Sequence, residues 1–288
     1  MSETLMQRIS EHYDPAFYRE RVNRNEVFLG PDRAQMQASQ DKISNAVVGV
    51  AGQGALGGNV AMIMARLGVR HLKIADHDDF DISNINRQLG ATPDVTVDVY
   101  AGGIQVGMAE DFVQDCDLII DCIDLDNIDE RYALHKAFRA SPKCKGCLTS
   151  KSIGFGANLC LFNRDGLTLE DLYGIAAGTE MTDALLDHLV RLQASFLPRF
   201  PSLTTIYEWM AEKQTAPTFA TTPSLSQHLV VSRASLMLCD LDIAAYCEPL
   251  PPMPNYLWMD ATTMTCQVGE FDGRFANEGE FETLLGNG

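Results

Sequence analysis

A glycine-rich turn is the first feature of this sequence whose spacing suggests chemistry. Within VVGVAGQGALGGNV at 47–60, Gly52, Gly54 and Gly57 follow the pattern Gly-x-Gly-x-x-Gly after an apolar run. Glycines in this pattern allow a tight turn and let backbone N–H groups approach a phosphate at the start of the next helix. Asp76 lies 19 residues after Gly57, where a carboxylate can accept hydrogen bonds from ribose hydroxyls. The pattern therefore predicts a nucleotide-binding turn.

A polar segment follows Asp76 and carries side chains suited to phosphate. An arginine can neutralise phosphates in a bidentate manner, and side-chain amides can orient them. The glycine turn alone would favour NAD, and an NAD(P)-dependent oxidoreductase remains an alternative. A dehydrogenase has no need of such a cluster, whereas an enzyme that cleaves a triphosphate does, because charge accumulates on the leaving pyrophosphate. The expected nucleotide-contacting residues of this segment are Asp78, Ser83, Asn84, Arg87 and Gln88.

The elements that must position these residues alternate between strands and helices. Apolar runs are predicted as strands at 46–51, 71–76, 95–100, 118–122 and 146–150. Helical spacing separates them at 56–67, 109–114 and 126–139. Continuous apolar strands that alternate with helices indicate a parallel sheet covered on both faces. The predicted fold class is α/β, a Rossmann-like doubly wound and mainly parallel sheet with helices on both faces and a C-terminal helical and short β extension.

Three regions are predicted along the chain. Residues 1–45 are expected to form a helical N-terminal arm, and residues 46–165 the Rossmann-like nucleotide-binding core. Residues 166–288 are expected to add a helical insertion, a closing helix and terminal strands to the same domain. The closing helix is predicted to run from the TTPS segment at 221–224 to about Tyr246, and the terminal strands to occupy 256–260 and 264–271.

Charge and composition limit the expected partners. The 288-residue chain has a formal net charge of -17 and a sequence pI of about 4.6. Such a surface repels phosphate backbones, so nucleic acid is not an expected partner. No apolar run reaches the length of a membrane span, and the charged N-terminus does not resemble a signal peptide. Several of the eight cysteines lie in apolar runs, and together these features favour a reducing cytoplasm.

The combination of motifs resembles the E1-like superfamily, which comprises the ubiquitin-activating enzymes and bacterial adenylyltransferases of the ThiF, MoeB and HesA types. The resemblance rests on the glycine pattern, Asp76 and SNINRQ at 83–88, at the spacing of the family. Upstream, RVNRN at 21–25 is similar to the R-x-x-R-Q segment of the family. Downstream, DCIDLDN at 121–127 is similar to its D-x-x-D-N segment. The similarity covers 18–165 well and 220–246 loosely.

The resemblance implies catalytic roles for three side chains. Arg24 would reach into the active site of a partner subunit, so a homodimer is expected. Arg87 would act on the phosphates of ATP, and Asp124 would hold Mg²⁺ on them. ATP and Mg²⁺ are therefore the expected cofactors.

The assignment of the metal ligand leaves one alternative open. The chain is two residues longer here than the family pattern. Counting from the end of the strand selects Asp124, whereas counting back from Arg131 selects Asp126. We favour Asp124 as the metal ligand, and we expect Asp126 and Asn127 to contact the nucleotide.

The resemblance also implies a reaction. ATP and a carboxylate give an acyl-adenylate and pyrophosphate, and the catalysis comes mainly from electrostatic stabilisation and alignment around the phosphates. The expected acceptor is the C-terminus of a ubiquitin-like or sulfur-carrier protein, a peptide or a small carboxylate. A non-catalytic E1-like scaffold subunit is the alternative within the superfamily.

Two features depart from the pattern of the superfamily. The family places a helix with an ATP-contacting lysine after the Arg-Gln pair, but no lysine occurs here between Lys73 and Lys136. That connection is also short for a crossover between parallel strands, which usually contains a helix. Thioester-forming members carry a cysteine in the loop after the sheet, and none occurs between Cys160 and Cys239. Because thioester formation needs a thiolate, adenylation without that step is expected.

Overall fold

One mixed sheet of ten strands organises the part of the chain that the structure, a computed structural model, describes. That part comprises residues 7–9, 13–26, 29, 32–77, 95–125, 127–153, 155–196, 204, 206–207 and 222–286. The strands are β1 (Gln7–Ile9), β2 (Val47–Ala51), β3 (His71–Ala75), β4 (Thr96–Tyr100), β5 (Leu118–Asp121), β6 (Cys147–Thr149), β7 (Ser152–Ile153), β8 (Gly156–Phe162), β9 (Asn255–Asp260) and β10 (Thr265–Glu270).

Helices precede, connect and follow these strands. The α-helices are α1 (Pro15–Glu26), α2 (Arg33–Asn45), α3 (Gly57–Leu67), α4 (Ala109–Val113), α5 (Ile128–Ala140), α6 (Leu169–Tyr173), α7 (Asp183–Leu192), α8 (Thr222–Leu238) and α9 (Glu278–Gly286). Short 3₁₀ helices occupy Gln193–Phe196 and Arg274–Ala276. Within the described ranges, no helix combines the length and the apolar character needed to span a bilayer.

The strand order confirms the predicted doubly wound sheet. Along its main path the sheet runs β1-β4-β3-β2-β5-β6-β8-β9-β10, and β7 pairs with β8. The strands from β4 through β6 in this order pair in parallel. The flanking strands β1, β8, β9 and β10 pair antiparallel. The predicted terminal strands therefore extend the same sheet and do not form a separate one.

Two apolar clusters, one on each face of the sheet, form most of the core. Successive residues of a strand point to opposite faces, and β5 shows this directly. Ile119 packs in the cluster that α4, α5, α6 and α7 share. Leu118 and Ile120 pack in the cluster that α2, α3 and α8 share. All residues of β5 are buried, as expected for the middle of a sheet covered on both faces.

The N-terminal arm differs from its prediction as wholly helical. Strand β1 precedes α1 and adds an antiparallel edge to β4. Arg8 Nε lies 2.5 Å from Asp98 Oδ1, and His71 Nε2 lies 2.7 Å from the other oxygen of that carboxylate. Three residues are too few to show a period-2 pattern in the sequence. Pairing with a strand some 90 residues away decides their conformation.

The closing helix is shorter than predicted. Helix α8 ends at Leu238, and Asp240 adopts a left-handed conformation with φ of 56°. The Asp240 carboxylate accepts hydrogen bonds from Lys42 and Lys145 at 2.7 and 2.5 Å. Aspartate tolerates this conformation better than most residues, and these two cations hold it there. The apolar sequence continues past this turn, so hydrophobicity alone predicts too long a helix.

A buried ion pair ties α5 to the middle of the sheet. Arg131 donates from Nε and Nη2 to Asp121 Oδ2 at 2.9 and 2.7 Å, and from Nη1 to the Tyr173 hydroxyl at 2.7 Å. His135 Nε2 lies 3.2 Å from the same carboxylate oxygen. Burial alone would raise the pKa of Asp121, but the Arg131 charge and the His135 hydrogen bond hold it well below its usual range. The network fixes where β5 ends and α5 begins.

Asp121→Asn should destabilise the fold strongly. The variant leaves the guanidinium of Arg131 buried without its counter-ion, which typically costs about 3–5 kcal/mol of unfolding free energy. Urea unfolding measures the change. Asp41→Asn is the matched control, because it breaks a surface ion pair with Arg19. The side chain of Arg19 is 42% exposed and that of Asp41 is 48% exposed. Such surface pairs typically contribute about 0–1 kcal/mol, so equal losses in the two variants would contradict the assignment.

Candidate nucleotide-binding site

The glycine turn is packed against the end of β5 too closely for side chains. Gly52 has a φ of 85°, and its N–H donates to the carbonyl of Ala75 at 2.7 Å. A Cβ added to Gly52 would lie 2.7 Å from the carbonyl oxygen of Cys122. A Cβ added to Gly57 would lie 1.8 Å from the carbonyl oxygen of Gly52. Both glycines are therefore required by the local geometry, and the turn presents backbone at this edge of the sheet.

The N-terminus of α3 opens directly out of this turn. No side chain forms a capping hydrogen bond there, although the Gly58 N–H donates to the carbonyl of Gly54 at 3.2 Å. The positive end of the helix dipole still favours an anion at this terminus. A distant helix braces the turn from the side. Gln227 of α8, which is 5% exposed, donates from Nε2 to the carbonyl of Ala55 at 2.9 Å. Asn59 Nδ2 donates to the same oxygen at 2.9 Å. The turn is thus held rigidly in place.

Asp76 lies beside the turn, as its spacing from Gly57 predicts. Its carboxylate accepts a hydrogen bond from the backbone N–H of Gln53, inside the Gly-x-Gly segment. Its own N–H donates to the carbonyl of Tyr100 at 3.3 Å. The side chain is only partly buried. It can therefore reach a ribose placed over the turn.

Asp124 lies exposed just beyond β5. Among the described residues, none donates a hydrogen bond to its carboxylate or forms an ion pair with it. In the same part of the chain, no group of three or more His, Cys, Asp or Glu side chains could hold a metal ion. The Asp124 carboxylate is one group of the kind that holds Mg²⁺, which usually binds through one or two carboxylates together with substrate phosphates. Asn127 begins α5 close by, where its N–H donates to the Asp124 carbonyl at 3.4 Å.

Several predicted site residues lie outside the described residues. Arg24 belongs to α1, but its side chain is outside them. Arg21, in the same motif, donates from Nη1 to the carbonyls of Ala65 and Arg66 at 2.7 and 3.2 Å, so it caps the C-terminus of α3. The other predicted site residues that lie outside the described ranges are Asp78, Ser83, Asn84, Arg87, Gln88 and Asp126. Their roles remain predictions.

The structure adds Lys151, which sequence reasoning missed, to this edge of the sheet. It lies two residues beyond β6, and its Nζ is 3.4 Å from the carbonyl oxygen of Ile123. Burial and then the charge of Arg131 lower its pKa, although Asp121 and Asp124 oppose this. The sequence could have indicated this position, because Lys151 follows a predicted strand and the carboxyl ends of parallel strands meet at one edge of the sheet.

Two cysteines lie near the site, Cys147 buried and Cys122 partly buried. Cys147 Sγ lies 3.7 Å from His135 Nε2, and His135 in turn contacts Asp121. The same ring nitrogen makes both contacts, so this group lacks the relay of a nucleophilic triad, in which the two nitrogens have separate partners. Burial raises the pKa of the Cys147 and Cys122 thiols well above their usual range. Neither thiol is activated as a nucleophile.

The segment that contains the glycine turn is similar to a known protein family. Residues 29–94 match the ThiF family. Over 69 residues the chain is 38% identical to the tRNA threonylcarbamoyladenosine dehydratase of Bacillus subtilis strain 168, a match that covers 24% of this chain and 25% of that protein. Over 75 residues it is 35% identical to tRNA threonylcarbamoyladenosine dehydratase 2 of Saccharomyces cerevisiae, covering 26% of this chain and 15% of that protein. The chain thus matches a quarter or less of the length of these curated relatives.

Comparison of structures extends the likeness in fold to most of the chain. A structure of PaaA has a TM-score of 0.62 and 14% identity, over 91% of this chain and 76% of that one. Escherichia coli MccB solved with ATP has a TM-score of 0.59 and 16% identity, over 90% of this chain and 74% of that one. MccB solved with MccA-N7isoASN has a TM-score of 0.61 and 15% identity, over 88% and 72%. Together, the comparisons confirm the Rossmann-like fold class and the resemblance to the E1-like superfamily.

Gly57→Ala should disrupt nucleotide binding. The added methyl group would collide with the backbone of Gly52 and force the turn away from the end of β5. We expect the affinity for ATP with Mg²⁺, measured by calorimetry, to fall at least about tenfold, the equivalent of roughly 1.4 kcal/mol. Gly107→Ala is the matched control, because an added Cβ there meets nothing within 4 Å. Unchanged ATP affinity in a folded Gly57→Ala protein would argue against phosphate binding at this turn.

Proposed function

We propose that this chain is an ATP-dependent adenylyltransferase of E1-like type, which activates a carboxylate as an acyl-adenylate and releases pyrophosphate. The observation that carries the proposal is the ThiF family match over residues 29–94. This match includes the glycine turn, Asp76 and the segment predicted to contact phosphates. The hydrogen bond from the Gln53 N–H to Asp76 supports it, because it brings the expected ribose-binding and phosphate-binding groups together.

In the proposed reaction, the glycine turn and the N-terminus of α3 bind the phosphates of ATP, and Asp76 binds the ribose. Arg87 would neutralise charge on the leaving pyrophosphate, and Ser83, Asn84 and Gln88 would contribute a hydroxyl and two amides. Asp124 would hold Mg²⁺, which would neutralise charge on the phosphates. The acceptor carboxylate attacks the α-phosphorus. These groups act by alignment and by electrostatic stabilisation of the charge that develops on the phosphates.

The proposed acceptor is the C-terminal carboxylate of a ubiquitin-like or sulfur-carrier protein, a peptide or a small carboxylate. The fold is similar to that of MccB, which has been solved with MccA and with ATP. The two curated relatives are named for a tRNA substrate. A net charge of -17 disfavours tRNA as the acceptor, because the chain would repel its phosphate backbone.

We also propose that the acyl group is not passed to a cysteine of this chain. A thioester requires a thiolate that can reach the adenylate. Burial raises the thiol pKa of five cysteines in or beside the parallel part of the sheet, which disfavours their thiolates at neutral pH: Cys116, Cys122, Cys144, Cys147 and Cys160. Free cysteines throughout are consistent with the reducing cytoplasm that we propose as its location.

A second candidate function is that of a non-catalytic scaffold within the superfamily. The observation that favours it is the absence of any lysine between Lys73 and Lys136, where the resemblance implies an ATP contact. Calorimetry separates the candidates. The proposed enzyme should bind ATP with Mg²⁺ stoichiometrically and should not bind NADH. A protein that binds neither would be a scaffold, and one that binds only NADH would be an oxidoreductase.

Variants of Arg24 and Asp124 test the expected homodimer. Arg24→Ala and Asp124→Ala should each lose pyrophosphate exchange, since each lacks one part of every active site. If Arg24 acts across the dimer interface, mixed dimers of the two variants contain one site with both residues intact. Mixing should therefore restore part of the activity, up to about a quarter of the wild-type level for random exchange of subunits.

The controls for this experiment are the two variants incubated separately under the same conditions. Exchange is measured with a panel of carboxylates that includes glycine-terminated peptides. Mixtures that stay as inactive as the separate variants, although subunit exchange is verified, would rule out the action of Arg24 in trans.

A further inference from the structure

We propose that Lys151 binds the β- and γ-phosphates of ATP, and so adds a cation to the nucleotide site from the strand that neighbours β5. This inference rests on the ATP-dependent function proposed above. It assigns a phosphate-binding role to a residue that lies outside the motifs of the superfamily and outside the segment at 29–94 that matches the ThiF family.

A short series of contacts joins Lys151 to the glycine turn. Its Nζ lies 3.4 Å from the carbonyl oxygen of Ile123. Ile123 directly follows Cys122, whose carbonyl oxygen would lie 2.7 Å from a Cβ on Gly52. Ile123 also directly precedes Asp124, the carboxylate proposed to hold Mg²⁺. The ammonium therefore lies beside the segment that both contacts the turn and carries the proposed metal ligand.

The backbone of Lys151 is fixed by a buried side chain of the neighbouring strand. Asn158 of β8 is 1% exposed, and its Oδ1 accepts a hydrogen bond from the Lys151 N–H at 2.6 Å. The Asn158 N–H donates to the Lys151 carbonyl at 2.9 Å. The hydroxyl of Ser150 donates to the Asn158 carbonyl. These hydrogen bonds fix the point from which the lysine side chain extends along this edge of the sheet.

The charge of Lys151 is available to a ligand. Among the described residues, no carboxylate lies within 4 Å of its Nζ, and its polar contact with Ile123 is long for a hydrogen bond. The guanidinium of Arg131 is instead neutralised by Asp121 at 2.7 Å. An ammonium group has three donors, and Lys151 is partly buried. A bound phosphate would satisfy these donors and balance the charge.

Lys151 is also the cation that the described loops present at this edge. Five described segments directly follow the parallel strands: 52–56, 76–77, 101–108, 122–125 and 150–151. Among the residues of these segments, Lys151 is the only lysine or arginine. A polyphosphate bound over the described part of this edge therefore meets its positive side chain at Lys151.

The order of the strands indicates which part of the nucleotide Lys151 faces. Neighbouring strands run β3-β2-β5-β6 in the sheet. Asp76, proposed to bind the ribose, follows β3, and the glycine turn, proposed to bind phosphate, follows β2. Asp124 follows β5, and Lys151 follows β6. These groups occur in the order in which ribose, first phosphate and metal-bound phosphates follow one another in ATP. Lys151 thus lies at the end farthest from the ribose.

An ammonium at this position would act on the charge that develops in the proposed reaction. Release of pyrophosphate leaves negative charge on the β- and γ-phosphates, and a fixed cation stabilises that charge. No lysine occurs between Lys73 and Lys136, which is the observation that favours a non-catalytic scaffold. Lys151 would supply an ammonium to the phosphates from a different strand, so the missing lysine no longer argues against catalysis.

Affinities for AMPCPP and for AMP test the assignment, because only AMPCPP carries β- and γ-phosphates. Calorimetry measures AMPCPP with Mg²⁺, and ligand-observed NMR measures the weaker AMP. Lys151→Met removes the charge and keeps an unbranched side chain. It should lower the affinity for AMPCPP at least about tenfold, the factor expected from the loss of a charge-assisted hydrogen bond. The affinity for AMP should change less than about twofold.

Three further variants serve as controls. Lys151→Arg should keep part of the affinity for AMPCPP, because it retains the charge. Lys136→Met removes an exposed lysine of α5 and should leave both affinities unchanged. Lys151→Gln replaces Lys151→Met if the latter does not fold, and the same losses are expected for it. Melting temperatures verify that each variant is folded.

The remaining outcomes contradict different statements. An affinity for AMPCPP that is unchanged in Lys151→Met, or as low in Lys151→Arg as in Lys151→Met, would overturn the role of the Lys151 charge and leave the adenylation proposal standing. Equal losses for AMPCPP and AMP would overturn the assignment of Lys151 to the β- and γ-phosphates. No binding of AMPCPP to the wild-type protein would overturn the proposed function itself.

Discussion

The close approach of the glycine turn to the end of β5 is the constraint on which the candidate site depends. Gly52 and Gly57 have no room for a Cβ, since the backbone oxygens of Cys122 and Gly52 occupy that space. This contact brings the start of α3 next to the chain that leads into Asp124. The helix terminus proposed to bind phosphate and the carboxylate proposed to bind the metal thus share one edge of the sheet. Larger residues in the turn would separate these two parts.

Interactions on both faces of the sheet hold this edge in position. The ion pair between Asp121 and Arg131 attaches α5 to the last residue of β5, within the apolar cluster on that face. Asp121 directly precedes Cys122, whose carbonyl oxygen faces Gly52. On the other face, Gln227 of α8 holds the carbonyl of Ala55. The site is therefore supported by both layers of helices. A rigid support of this kind favours alignment of reactants, which is what the proposed reaction requires.

The parts of the fold that are local and periodic could be predicted from the sequence. Continuous apolar runs predict the parallel strands, and helical spacing predicts the helix after the glycines. The 19-residue spacing from Gly57 also predicts that Asp76 lies beside the turn. Strand β1 and the end of α8 were not predicted correctly, because they depend on partners distant in the chain: Asp98 for Arg8, and the two lysines for Asp240. Lys151 was missed for a similar reason. It belongs to no motif, and only the neighbouring position of β5 and β6 brings it to the site.

The contact between Gln227 and the glycine turn joins residues 172 positions apart in the chain. Contacts of such long sequence separation form late in folding, because the intervening chain must first be ordered. As the ribosome releases the polypeptide from its N-terminus, the ThiF-like segment emerges well before the helix that braces it. The turn acquires its full support only after the chain has been made through Gln227 of α8. Nucleotide capture at this turn would then report that the chain has been synthesised and packed as far as α8.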